Sequence, residues 1–194
     1  MSGPELRGGA RLIDVARRLL EQGGPRAVTV HGVAARAGVS APSLYKHFAG
    51  REELIRTLQA EGWEEFQRAL APSLKAKNPL ARLRNCGQRY VEFGLDRPHL
   101  YRLLFLSDEA ALAATDNEGQ ASPGLAFLVA LVQDCQKSGT LPRTGDSEDL
   151  AMAFWATCHG LVALYLQGGG KPRFERTRYL AMSRRALTAL TRRT

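Results

Sequence analysis

Between Ser43 and His47 the chain sets Ser, Tyr, Lys and His within five positions, interrupted only by Leu44. Two hydroxyls, an ammonium and an imidazole so placed can reach phosphate oxygens or the edges of bases. The chemistry they offer is hydrogen bonding and charge neutralisation. The elements that must hold them follow from the residues on either side. Thr29 offers a hydroxyl to the free N–H groups of a helix starting at Val30, and Val33, Ala34 and Ala37 fall on one apolar face of that helix. Gly38 stops it where the chain must turn. Ser40 caps the next helix, with Pro42 in its first turn, where a missing N–H costs nothing. The helix from Ala41 to His47 is too short to stand alone, so Val39, Leu44 and Phe48 must anchor it. A first helix crossing the backbone while a second enters the major groove is helix-turn-helix docking geometry. The same glycine turn also joins ordinary helical hairpins.

The string AGVSAPSLYKHFAGREEL, within Thr29 to Leu54, resembles the N-terminal domain of the TetR family of bacterial transcriptional regulators. The AGVS turn, the LYKHF helix and the basic-acidic-acidic-Leu start of the next helix follow the family's order and spacing. Upstream, a helix from Ala10 to Gln22 carries the stripe Leu12, Ala16, Leu19 and Leu20. The resemblance implies a flexible arm at 1–9, a helix-turn-helix DNA-binding domain at 10–55 and a ligand-binding and dimerisation domain at 56–194. By position it implies DNA contacts at His31, Ala41, Pro42 and Ser43, and phosphate contacts from Tyr45, Lys46, His47 and Arg51. Thr29 and Ser40 are expected to reach the DNA backbone as well. Ala41 departs from a polar reader, which points to apolar contact with a thymine methyl.

With 194 residues, 44% of them hydrophobic, the chain can bury a sizeable core as one unit or as a small head and a larger body. There is no run of about 18 uninterrupted apolar residues and no signal-peptide pattern, so a cytoplasmic protein is expected. Cys86, Cys135 and Cys158 are far apart and odd in number, against a disulfide framework or a CxxC metal site. The net charge of +8 suits a polyanion partner. Residues 1–60 hold nine Lys/Arg against five Asp/Glu, whereas residues 171–194 hold eight against one. The C-terminal surplus reads either as a solvated helix face or as weak attraction to DNA or an acidic partner.

Beyond the head the chain is helix after helix, with Pro or Gly at the joints, so an all-α fold of about nine helices is expected. Helices are placed at Arg51 to about Leu70, Leu80 to Asp96, Pro98 to Leu106, 125–138, 147–167 and 173–192. Residues 107–124 read as a connector. The helix at 147–167 is apolar nearly all round, through Met152, Phe154, Trp155, Cys158, Leu161, Val162, Leu164, Tyr165 and Leu166. Such a helix must be buried. One side can pack on the body; the other, with 173–192, suits a two-fold homodimer interface of four helices.

Within it, WATCHGL resembles the Trp-His-Gly signature of one C-terminal class of TetR-like regulators, and Gly160 is expected to permit close packing. Tyr90, Phe93, Phe105, Phe127, Trp155 and His159 are the candidate lining of a site for a small hydrophobic ligand, and all are also plausible plain core. Enzyme chemistry has little support. The GGGKP run at 168–172 lacks the Gly and the Ser or Thr of a phosphate loop, and Cys158 and His159 point about 100° apart on a helix. No catalytic residue, metal or cofactor is expected. The composite expectation is a homodimeric repressor on a palindromic operator, released by a small hydrophobic effector. A regulator controlled by a protein partner, or by none, is the alternative.

Overall fold

The computed structural model describes residues 4–108, 123–143, 145–167 and 174–192. Among them there are nine α-helices and no strands. In chain order these are α1 (Pro4–Gly23), α2 (Val30–Ala37), α3 (Ala41–Tyr45), α4 (Arg51–Leu70), α5 (Pro79–Asp96), α6 (Pro98–Phe105), α7 (Pro123–Lys137), α8 (Ser147–Gln167) and α9 (Arg176–Leu190). The expected all-α fold is therefore present. Most of the 107–124 connector, and the GGGKP run, lie outside the described residues.

The described residues fall into two compact units, one drawn from Met1–Glu65 and His99–Asp116, the other from Phe66–Pro98 and Asn117–Thr194. The first of these, the head, thus recruits α6 from beyond the boundary expected at residue 55. Leu103 of α6 is buried in the same cluster as Leu12, Ala16, Val33, Leu44, Leu54 and Leu58.

Helix α1 begins at Pro4, not at Ala10, so residues 4–9 continue the helix rather than form an arm. Proline suits a first helical turn. The apolar stripe of α1 and the Val33, Ala34 and Ala37 face of α2 are buried as their spacing predicts. Gly38 takes φ 67° and ψ 34°, the left-handed conformation that a Cβ disfavours, and turns the chain into α3. Helix α3 is only five residues long and ends at Tyr45, with residues 46–47 in a turn. Leu44 and Phe48 pin it to the core, and half-buried Val39 packs alongside.

In the second unit, the body, α8 packs against α5, α7 and α9. Ala151, Phe154, Cys158, Val162 and Leu166 form its buried face. A Cβ at Gly87 of α5 would stand 2.6 Å from Phe154 Cζ and 2.9 Å from Leu187 Cδ1, so glycine is what lets α8 and α9 approach there. Arg84 of α5 ties down the end of α9 by donating to Thr191 Oγ1 at 2.7 Å and to Thr191 O at 3.0 Å. Tyr179 of α9 donates its hydroxyl hydrogen to Leu161 O of α8.

Candidate nucleic-acid interface

Two hydroxyl caps set the geometry of the head's polar edge. Thr29 Oγ1 accepts from Gly32 N at 3.0 Å and starts α2. Ser40 Oγ accepts from Ser43 N at 3.3 Å and starts α3. The Thr29 cap satisfies an N–H of the first helical turn, and the Ser40 hydroxyl shares the Ser43 N–H with the Ser40 carbonyl at 3.0 Å. His31, on the first turn of α2, is exposed, as are Pro42, Tyr45 and Lys46 on and just after α3; Ala41 and Ser43 are half-buried. Tyr45 is 53% exposed, a large amount for an aromatic ring. The structure thus brings hydroxyls, an imidazole, a phenol and an ammonium together on a helix-turn-helix whose apolar residues face inward.

Two residues expected on that edge are turned elsewhere. The His47 imidazole lies against α1, with Nε2 2.8 Å from where a Cβ on Gly8 would stand. Arg51, expected to meet a phosphate, instead donates from Nε to Val28 O at 3.0 Å and from Nη2 to Pro25 O at 3.1 Å. Its reach is 23 and 26 positions back along the chain. No periodic or capping pattern marks such a bond in advance.

The six aromatic and imidazole residues expected to line a ligand site separate in the structure. Tyr90, Trp155 and His159 form a hydrogen-bonded chain between α5 and α8. Trp155 Nε1 donates to Tyr90 Oη at 3.2 Å, and Tyr90 Oη lies 3.3 Å from His159 Nδ1. Burial lowers the pKa of the His159 imidazole from its ordinary 6.5. A neutral ring with Nδ1 as acceptor lets the Tyr90 hydroxyl donate onward, giving a continuous chain of donors. Phe66 stands edge-on to Tyr90 and to Phe93, at 5.4 and 5.1 Å between ring centroids. Phe66 is not among the residues expected to line a ligand site. Phe105 belongs to the head, where it packs with Trp63 and Tyr101. Phe127 is 36% exposed, on the side of α7 away from buried Leu125, Leu128 and Val132.

A concavity of about 310 Å³ lies on α9, lined by Ala181, Arg184, Arg185, Thr188 and Arg192, and carries part of the basic C-terminal surplus. The three cysteines are buried. Burial pushes the Cys86 thiol up to about 11 and raises Cys135 and Cys158 as well, the character of structural thiols rather than activated nucleophiles.

Comparison with known proteins identifies both parts of the chain. Residues 12–58 match bacterial regulatory proteins of the tetR family, and residues 83–190, which include WATCHGL, match the tetracyclin repressor-like C-terminal domain. No individual curated protein matches the sequence. Among solved structures, a protein of unknown function from Rhodococcus sp. RHA1 is similar with TM-score 0.72 and 23% identity, over 94% of this chain and 93% of that one. The fatty acid degradation regulator FadR from Bacillus halodurans gives TM-score 0.71 and 16% identity, over 98% and 96%. AibR, solved in complex with isovaleryl coenzyme A and operator DNA, gives 0.63 and 18%, over 90% and 94%.

Proposed function

Because the chain belongs to the TetR family of transcriptional regulators, with a DNA-binding N-terminal domain, we propose that it acts in the cytoplasm as a homodimeric repressor that leaves a palindromic operator when a small hydrophobic effector binds the body. One observation carries the DNA half of this reading: capped α2 and α3, joined through Gly38, leave His31, Pro42, Tyr45 and Lys46 exposed while Leu44 and Phe48 are buried. Ala41, Pro42 and Ser43 meet base edges, Tyr45 and Lys46 meet phosphates, and Thr29 and Ser40 add contacts to the DNA backbone beside their caps. Supporting the homodimer, α8 exposes Met152 at 42% and Leu164 at 67%, with Ala153 and Ala156 on the same side. Among the described residues nothing lies within 4 Å of a Cβ at Gly160, so the close packing expected there is absent within the chain and that side of α8 is open to a partner helix. By length and composition α8 also qualifies to cross a membrane, but the pairing of its Phe154 face with α5 and α9 favours a subunit interface.

The likeness to a fatty acid degradation regulator and to a protein solved with isovaleryl coenzyme A supports an acyl-type effector. Phe66, Phe93 and the Tyr90–Trp155–His159 chain supply apolar walls and a few fixed polar atoms of the kind that orient such a ligand. An effector acts by binding the operator-incompetent arrangement more tightly; a coupling of about 1–3 kcal/mol gives roughly a 5- to 150-fold loss of operator affinity. The test has two parts. Light scattering at micromolar concentration should return a dimer, which Leu164→Glu converts to a monomer. Operator selected from random DNA should be palindromic and should be released by short acyl-coenzyme A thioesters. A monomeric wild-type protein, or a selected site without two-fold symmetry, refutes the reading.

A further inference from the structure

We propose that Arg51 sets operator affinity from inside the head, as a positioning residue that holds the start of α2, and not as a phosphate contact. The proposal rests on the DNA-binding reading above. Arg51 is the first residue of α4 and is half-buried. Two of its five N–H donors reach Val28 O and Pro25 O, both in the turn that separates α1 from α2. Pro25 O already accepts from Val28 N at 3.2 Å, so Arg51 supplies its second hydrogen bond. Val28 itself is fully buried, leaving its carbonyl little water to turn to. A guanidinium fork fits two acceptors at fixed spacing, whereas an ammonium is a point charge on a flexible stem.

The loop so held leads directly into the DNA-facing turn. Thr29 follows Val28 and caps α2, and exposed His31 stands two residues further on. On the same loop, His99 Nδ1 lies 3.1 Å from where a Cβ on Gly24 would stand, so the segment from Gly24 to Val28 is backed by α6 as well as tied to α4. Freeing Val28 O lets the first turn of α2 shift, and with it Thr29 and His31. Positioned polar contacts weaken steeply when their support moves by about 1 Å.

The experiment measures operator affinity across a series of salt concentrations for wild type, Arg51→Lys, Arg51→Gln and Lys46→Ala, with nitrogen-15 NMR of the Arg51 Nε–H in free and bound protein. Lys46→Ala should lower the salt slope by about one unit. Arg51→Lys keeps the charge and Arg51→Gln removes it, yet both should weaken binding by roughly tenfold or more with the slope unchanged, since what is lost is geometry and not a phosphate contact. The wild-type Nε–H should exchange slowly in the free protein and keep its shift on DNA. Wild-type affinity for Arg51→Lys, together with a unit of slope lost in Arg51→Gln, overturns the proposal. So does a rapidly exchanging Nε–H in the free protein, a readout that still decides if either substitution unfolds the head. Lys46→Ala with affinity and slope unaltered overturns the docking reading instead, and the Nε–H signal separates that failure from this one.

Discussion

Two polar clusters, one around the helix-turn-helix of the head and one between α5 and α8 of the body, are secured by different means. In the head, Thr29 Oγ1, Ser40 Oγ and Arg51 all bond main-chain atoms. In the body, Trp155, Tyr90 and His159 bond one another, across 65 and 69 positions of sequence. A side chain that satisfies its own backbone fixes the course of the chain; one that satisfies another side chain fixes only how two helices pack. The capped turn of the head therefore presents its surface in a fixed shape, while the Trp155–Tyr90–His159 chain sets how α5 and α8 pack.

The largest effect that would break this contrast is expected at Leu44, fully buried under α3. Leu44→Ala should cost about 2–5 kcal/mol, against a total stability of about 5–15, and should abolish operator binding. The two tryptophans report separately, Trp63 from the head and Trp155 from the body. In single-tryptophan variants only the Trp63 transition should move to lower denaturant. Equal movement of both would mean that the units unfold as one and that the contrast carries no energetic weight. A smaller loss, about 1–2 kcal/mol for a residue with a Cβ in the left-handed region, is expected for Gly38→Ala, again seen through Trp63 alone.

Trp155→Phe sharpens the comparison from the other side. It keeps an aromatic ring but removes the donor to Tyr90, at a cost of about 0.5–1.5 kcal/mol to the body. Operator affinity should stay at the wild-type level while response to effector falls. A variant that still releases DNA normally would make Trp155 a core residue only. The smallest effect is one of pH. Burial lowers the pKa of His159, so the unfolded chain takes up the proton more readily than the folded one. The contribution of this residue to stability is then complete above about 6.5 and lost as pH falls through that value toward the lower folded one. Denaturation midpoints between pH 5 and 8 should show this slope in wild type and not in His159→Gln.

The same contrast decides what could be learned from sequence. Thr29, Gly38, Ser40 and Pro42 act through rules that operate within four residues, so the caps, the turn and the apolar faces of α1 and α2 were legible. Arg51 was not, because a guanidinium that reaches back 23 positions leaves no local pattern. Helix α1 starts at Pro4 rather than at the expected Ala10 and runs through Gly8 and Gly9, beside which the His47 imidazole lies. Among the aromatics, helical spacing cannot separate a ring that faces a polar cluster from one that faces elsewhere. Phe105 and Phe127 share aromatic character with Tyr90 but lie apart from it, while Phe66 stands beside it.

Helix α3 has one more consequence, for how such a protein can change over generations. Only Leu44 of its five residues is buried. Substitutions at exposed positions like Pro42 and Tyr45 generally alter stability by less than about 0.5 kcal/mol. On the proposed docking, base readout at Pro42 and phosphate affinity at Tyr45 can therefore drift with little penalty in folding, while Leu44 and Gly38 remain pinned by the architecture that presents them.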